Sequence, residues 1–190
     1  MTDEAEASAI AGGAISIRVQ HIEQLFHTLD PFPFAERDLD AQAEEYIVGF
    51  ARELPRSATL RIDIHVPAEA AASREAQEVG AAIAHYFAGR AEATQRELRE
   101  LFRIGRRAAV VGVVVLAFCL TIDRLLLPRL GWDDIRFVSE SVIILGWVAN
   151  WKPLEIFLYD WWPLVRRRRL YRRLAAAKVA LRPDVGQRKG

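Results

Sequence analysis

The chain is poor in the residues that usually carry chemistry. It holds one cysteine, Cys119, one methionine and four histidines in 190 residues. A lone cysteine excludes a disulfide framework and any thiolate metal cluster. His21, His27, His65 and His85 show no HxxxH or HExxH spacing, so a zinc site would have to gather distant side chains. There is no glycine-rich phosphate loop: Gly12-Gly13 precedes a strand-like segment and lacks the Lys and Ser/Thr of a P-loop. A serine-centred nucleophile elbow is also missing. The start, MTDEAEASAI, is acidic and has neither a basic n-region nor an adjoining apolar h-region, so no cleavable signal peptide is expected. No catalytic residue, metal or cofactor follows from such a sequence.

Net charge is the next quantity in short supply, at +1 overall. The near-neutrality comes from segregation. Residues 1–102 carry 9 basic and 18 acidic groups, and residues 103–165 carry 7 and 6. Residues 166–190 carry 10 basic groups against the single acid Asp184. The chain therefore reads as an acidic head, an apolar middle and a basic tail. At 52% apolar it is too hydrophobic for a disordered chain, and it is too short for a multidomain enzyme.

The middle has the length to cross a bilayer. AAVVGVVVLAFCLTI, Ala108 to Ile122, is uncharged for fifteen residues, and Leu125–Leu127 extend it past Asp123 and Arg124. A hydrocarbon core of about 30 Å takes about 20 helical residues. A core helix of a soluble protein has the same character, but the small head offers little core to bury one. A second stretch, Ile135 to Leu164, is apolar at its centre, Ser141–Ala149. It carries Trp147, Trp151, Trp161 and Trp162, with Trp132 in the loop before it. Tryptophans near polar boundaries mark a membrane–water interface. The expectation is a two-span transmembrane helical hairpin over 108–165, with spans near 108–127 and 136–158.

Flanking arginines set its orientation. Arg106 and Arg107 precede span one, and Arg166, Arg167, Arg168 and Arg169 follow span two, so both termini are expected in the cytoplasm of a cell-membrane protein. These six arginines are candidate contacts for anionic lipid headgroups. No aromatic-bearing recognition element accompanies the arginine run, and nucleic acid is not an expected partner.

The head, residues 14–89, predicts an α+β unit of β-α-β-α order after an acidic, disordered leader over 1–13. Ile15, Ile17 and Val19 alternate with polar residues, as do Leu60, Ile62, Ile64 and Val66, and each run reads as a strand. Ile22, Leu25, Phe26 and Leu29 suggest a helical turn between them, ended by Asp30-Pro31. Leu39, Ala43, Tyr46, Ile47, Phe50 and Leu54 share one face of a helix that Pro55 closes. Val79, Ile83 and Phe87 begin another helix, expected to end or bend at Gly89 before a charged stalk, 90–107. Two strands make a poor sheet alone. Pairing with another chain, or a strand supplied by the leader, is therefore expected, and residues 166–190 read as a basic cytoplasmic tail.

The candidate functional groups lie in span two. Glu140, Asn150, Lys152 and Glu155 are polar residues in an apolar stretch, where burial of a charge is costly. They are expected to form an intramembrane or subunit contact, or else to sit at an interfacial bend made by Pro153. Pro153 leaves carbonyls near residues 149 and 150 without their helical donors, which Asn150 or a Trp indole would have to replace. Three functions are open: an oligomeric membrane-anchored interaction or scaffold protein, a subunit of an oligomeric channel or transporter, and a membrane enzyme with its site in the head. Membrane lipid and either a second copy or a membrane-complex partner are the expected partners.

Overall fold

A computed structural model describes residues 14–27, 30–55, 57–126 and 135–184. Chain order is β1 (Ala14–Arg18), two 3-10 turns (Ile22–Leu25 and Phe34–Glu36), α1 (Ala41–Glu53), β2 (Arg61–Pro67) and a short α2 (Ala68–Ala71). Then follow α3 (Arg74–Thr121), α4 (Ile135–Ala149), α5 (Trp151–Glu155), α6 (Trp161–Ala175) and β3 (Lys178–Asp184). Widened π-type turns occupy Ile122–Leu126 and Ile156–Asp160. The chain divides into two compact units, Met1–Ala93 with Arg167–Gly190, and Thr94–Arg166.

The first unit is built on a three-stranded parallel sheet in the order β1-β2-β3. Alternation in β2 sends Ile62, Ile64 and Val66 to one face, where all three are fully buried. Ile47, Val48 and Ala51 of α1 pack there, with Val79, Ala82, Ile83 and Phe87 of α3 and Tyr171 and Leu174 of α6. Each large apolar side chain so buried contributes roughly 1.5–3 kcal/mol. Helix α1 starts at Asp40, whose carboxylate accepts from the Gln42 N–H at 2.9 Å and satisfies one of the first-turn donors. Of the two phenylalanines in the Pro31–Phe34 segment, Phe34 stacks on Phe26 at 4.6 Å between ring centres, whereas Phe32 is exposed.

The third strand is the main departure from expectation. It comes neither from the leader nor from another chain but from residues 178–184, in the stretch that charge alone marks as a tail. Val179 and Leu181 pair in register with Ile62 and Ile64 and pack against the core. Pro183 is tolerated because β3 is an edge strand, where a missing N–H need not break a ladder. Arg173 ties the same segment to the β2 approach by donating to the Pro55 and Ala58 carbonyls, each at 2.9 Å. The β2–β3 crossover thus contains α2 to α6 and, with them, the whole of the second unit. The 1–13 leader lies outside the described residues.

Gly89 does not interrupt α3, which runs unbroken from Arg74 to Thr121. A single glycine costs a helix only about 1 kcal/mol relative to alanine, too little to end one flanked by strong helix formers. In the second unit, two helices are long and apolar enough to cross a membrane, within Arg74–Leu125 and Glu140–Ala175. Only 11% and 17% of their most apolar windows are buried, whereas the core helix of a soluble protein would be mostly covered. Val110, Val111, Val113, Val114 and Phe118 of the first face outward, as do Ile144, Leu145, Val148 and Leu154 of the second. An apolar surface this continuous marks a membrane or a partner.

Candidate functional site: the helix pair and the open sheet face

In the second unit the two apolar helices meet along small residues. A methyl group on Gly105 would come within 2.8 Å of Ile156 Cγ2, and one on Gly146 within 2.8 Å of Leu116 Cδ1. Cys119 is buried beside Gly146. Gly105, Gly112 and Cys119 recur at seven-residue steps, the period that keeps one face of a helix against its partner in a left-handed supercoil. Small residues at such positions let backbones approach where lipid supplies no hydrophobic drive.

Asn150 sits at the centre of this contact. The chain breaks helical geometry there: its backbone N–H donates to the Trp147 carbonyl at 3.0 Å, which leaves the Gly146 carbonyl without its usual donor. The side-chain Nδ2 takes over, donating to Gly146 at 2.9 Å and across to Gly112 at 3.0 Å. The cause of the break is Pro153, which has no N–H for Ala149 and whose ring crowds that carbonyl. A Cβ on Gly112 would lie only 3.0 Å from the Ala149 oxygen. A second displaced donor is the Trp161 indole, which reaches back to the Phe157 carbonyl at 2.9 Å.

The other polar residues of this stretch do not converge on Asn150. Lys152 pairs with Glu155 at 3.0 Å and lies 3.7 Å from Asp160, on the outer surface. Glu140 is exposed on α4, ten residues before Asn150, about 15 Å along a helix. Trp147, Trp151 and Trp162 are exposed, Trp161 packs edge-on against Trp162 at 5.7 Å, and Trp132 lies outside the described residues. Arg106 and Arg107 are exposed; Arg166 lies over the Trp162 ring at 5.9 Å. Arg169 is exposed, while Arg167 and Arg168 are half-buried.

The first unit carries a feature that no local motif announces. Parallel sheets are usually covered on both faces. Among the described residues this one has a single apolar face, and the other presents Ser16 and Arg18 of β1, Arg61, Asp63 and His65 of β2, and Lys178 and Arg182 of β3. The four Arg and Lys side chains are exposed. Asp63, by contrast, is 7% exposed. One carboxylate oxygen is held by Arg61 at 3.0 Å with Arg182 at 3.7 Å, and the other has no hydrogen-bond partner. The result is a cationic surface organised around one buried acid. The alternation in the first two strands signalled two-thirds of it, and the basic character of KVALRPD concealed the rest.

A second cluster fastens the helices of the first unit. Glu44 accepts from Tyr86 at 2.7 Å, from Arg90 at 2.9 Å and from Tyr171 at 3.3 Å. Burial and then the bond to Glu44 push the Tyr86 hydroxyl well above the ordinary tyrosine range. Burial works against the charge on Arg90, but Glu44 outweighs it and holds the guanidinium protonated. These residues come from positions far apart in sequence and have a structural part to play. Among the described residues no group of three His, Cys, Asp or Glu side chains could hold a metal ion.

Comparison of the chain with protein-family models, curated proteins and solved structures returns no match.

Proposed function

We propose that the chain is a membrane-anchored interaction protein. It crosses a cell membrane twice, keeps both termini in the cytoplasm, and presents its small α/β head to an acidic protein surface. The observation that carries this reading is the open sheet face, with Arg18, Arg61, Lys178 and Arg182 exposed on one side of the sheet. Exposed charge of one sign on a rigid scaffold steers a partner of opposite charge.

Two further observations support the topology. Strand β2 precedes both apolar helices and β3 follows them, yet the two pair in one sheet. A chain that leaves and rejoins one sheet crosses a membrane an even number of times. The arginines on the outer flanks then favour the cytoplasmic side. Carboxylates on the chain's own helices, such as Glu45, Glu75 and Glu78, make a second copy one acidic partner of the right chemistry. Asn150 is satisfied inside the chain, which supports an assembly through the head rather than through that residue.

The test uses the full chain in mild detergent, its mass followed by light scattering from low to high salt. Arg18→Glu with Lys178→Glu reverses the face while sparing the two arginines that hold Asp63. The expected result is an assembly that dissociates with salt and fails to form in the double variant. A monomer at every ionic strength sinks the self-assembly, and an assembly indifferent to the charge reversals sinks the sheet face.

A further inference from the structure

The second unit contains an open cleft of about 680 Å³, lined by Arg99, Glu100, Phe102, Arg103, Arg106 and Phe157. Its arginines fall at i, i+4 and i+7 of α3, so the helical repeat places them on one side. The Phe102 and Phe157 rings stack at 6.1 Å and form an apolar wall beside them. Arg103 is tied to Glu100 at 3.1 Å, an exposed pair whose partners exchange at little cost. Arg99 and Arg106 have no carboxylate partner among the described residues. Three cations and one carboxylate leave the cleft with two positive charges in excess.

Position decides what such a cleft takes. Arg106 precedes Val110, the first residue of the outward-facing apolar run, by four residues, or about 6 Å of helix rise. Arg99 stands about 10 Å further from that run. If the apolar run lies in hydrocarbon, Arg106 stands at the depth of lipid phosphates, and Phe102, about 6 Å further out on the same helix with Phe157 stacked on it, stands at the level of the headgroups. Guanidinium groups bind phosphate through forked, charge-assisted bonds. We infer that this cleft is a binding site for one anionic phospholipid, its phosphate on Arg99, Arg103 and Arg106 and its headgroup beside the Phe102 and Phe157 wall. The site rests on the membrane reading proposed above.

The experiment places the full chain in mixed phosphatidylcholine and phosphatidylglycerol vesicles, extracts it with mild detergent, and measures the retained lipids by native mass spectrometry. Alkaline carbonate washing is run in parallel to score insertion. Retained phosphatidylglycerol is expected to exceed its share of the vesicle. The triple variant Arg99→Gln, Arg103→Gln, Arg106→Gln is expected to lose that preference by about tenfold or more while remaining inserted. An inserted wild-type chain with no preference, or a triple variant that keeps it, overturns the site and leaves the membrane reading standing. A wild-type chain released by carbonate overturns both. In detergent solution, dihexanoyl phosphatidylglycerol should bind the wild type more tightly than inorganic phosphate does. Equal binding of the two makes the cleft a site for free phosphate and overturns its assignment to a phospholipid.

Discussion

The side-chain amide of Asn150 donates both of its hydrogens to main-chain carbonyls, Gly146 of its own helix and Gly112 of the neighbouring one. The second bond exists because Gly112 has no side chain: a Cβ there would lie 2.6 Å from Asn150 Oδ1. Gly112→Ala therefore displaces the amide and unbinds two carbonyls at once. The expected loss is about 1–3 kcal/mol, in the range of other overpacked sites. Asn150→Leu removes the bonds without the clash and should cost about 1–2 kcal/mol. Denaturant titration of helicity in micelles measures both. Gly49→Ala is the matched control, since nothing lies within 4 Å of a Cβ there. It should be neutral or stabilising.

Strand β3 is the only partner of β2 on that side of the sheet. Ending the chain at residue 177 strips β2 of that ladder and uncovers Ile62 and Ile64, both fully buried in the intact head. Two paired strands are marginal in water. The truncated head is expected to lose its cooperative unfolding transition and to be cleaved rapidly within β2 by limited proteolysis. Leu181→Asp should act in the same direction in the full chain, by placing a carboxylate against the apolar face.

Asp30 closes the segment before α1 by accepting the Phe32 N–H at 3.0 Å and the Asp38 N–H at 2.9 Å. The two bonds, Asp38 first, hold its carboxyl below the usual aspartate range. A depressed folded-state pKa contributes stability that is present above the unfolded value, about 3.9, and is lost as pH falls through the folded one. Asp30→Asn should lower stability at neutral pH and flatten the acid limb of the stability curve below about pH 4. Thermal unfolding followed from pH 7 downward reads the difference.

Glu44 joins three helices through Tyr86, Arg90 and Tyr171. Glu44→Ala leaves two part-buried hydroxyls without their acceptor and removes the carboxylate from an exposed guanidinium, and a loss of about 1–3 kcal/mol is expected. The raised Tyr86 pKa has the opposite sign of pH dependence to Asp30. Its contribution is complete below the unfolded value, about 10, and disappears as pH rises toward the folded one. Tyr86→Phe should therefore be less stable at neutral pH yet lose less on going to strongly alkaline solution. Alkaline unfolding midpoints of the two proteins decide this.

The parts legible in the sequence were those in which one local rule acted alone. The alternation of Ile62, Ile64 and Val66 located β2, and Leu39 to Leu54 with Asp40 and Pro55 located α1 to within two residues. The Asn150–Pro153 irregularity followed from the missing proline N–H. What stayed hidden involved competing signals. In 178–184 the same two-residue period is present, but Lys178, Arg182 and Pro183 gave the segment the composition of a solvated tail. Gly89 suggested a break that the flanking helix formers overrode. The Glu44 cluster and the pairing of β3 with β2 could not be read at all, since each joins residues more than a hundred positions apart.

The place of β3 in the chain has a consequence for biogenesis. The head cannot close its sheet until residues 178–184 have left the ribosome, by which time both apolar helices have already been synthesised. On the proposed membrane topology, closure succeeds only if the translocation machinery has returned the last strand to the compartment that holds the first two. A chain that inserted one helix and missed the other would strand β3 across the bilayer, leaving an open two-stranded head for proteases. On that topology, the sheet would act as an inspection step on membrane insertion.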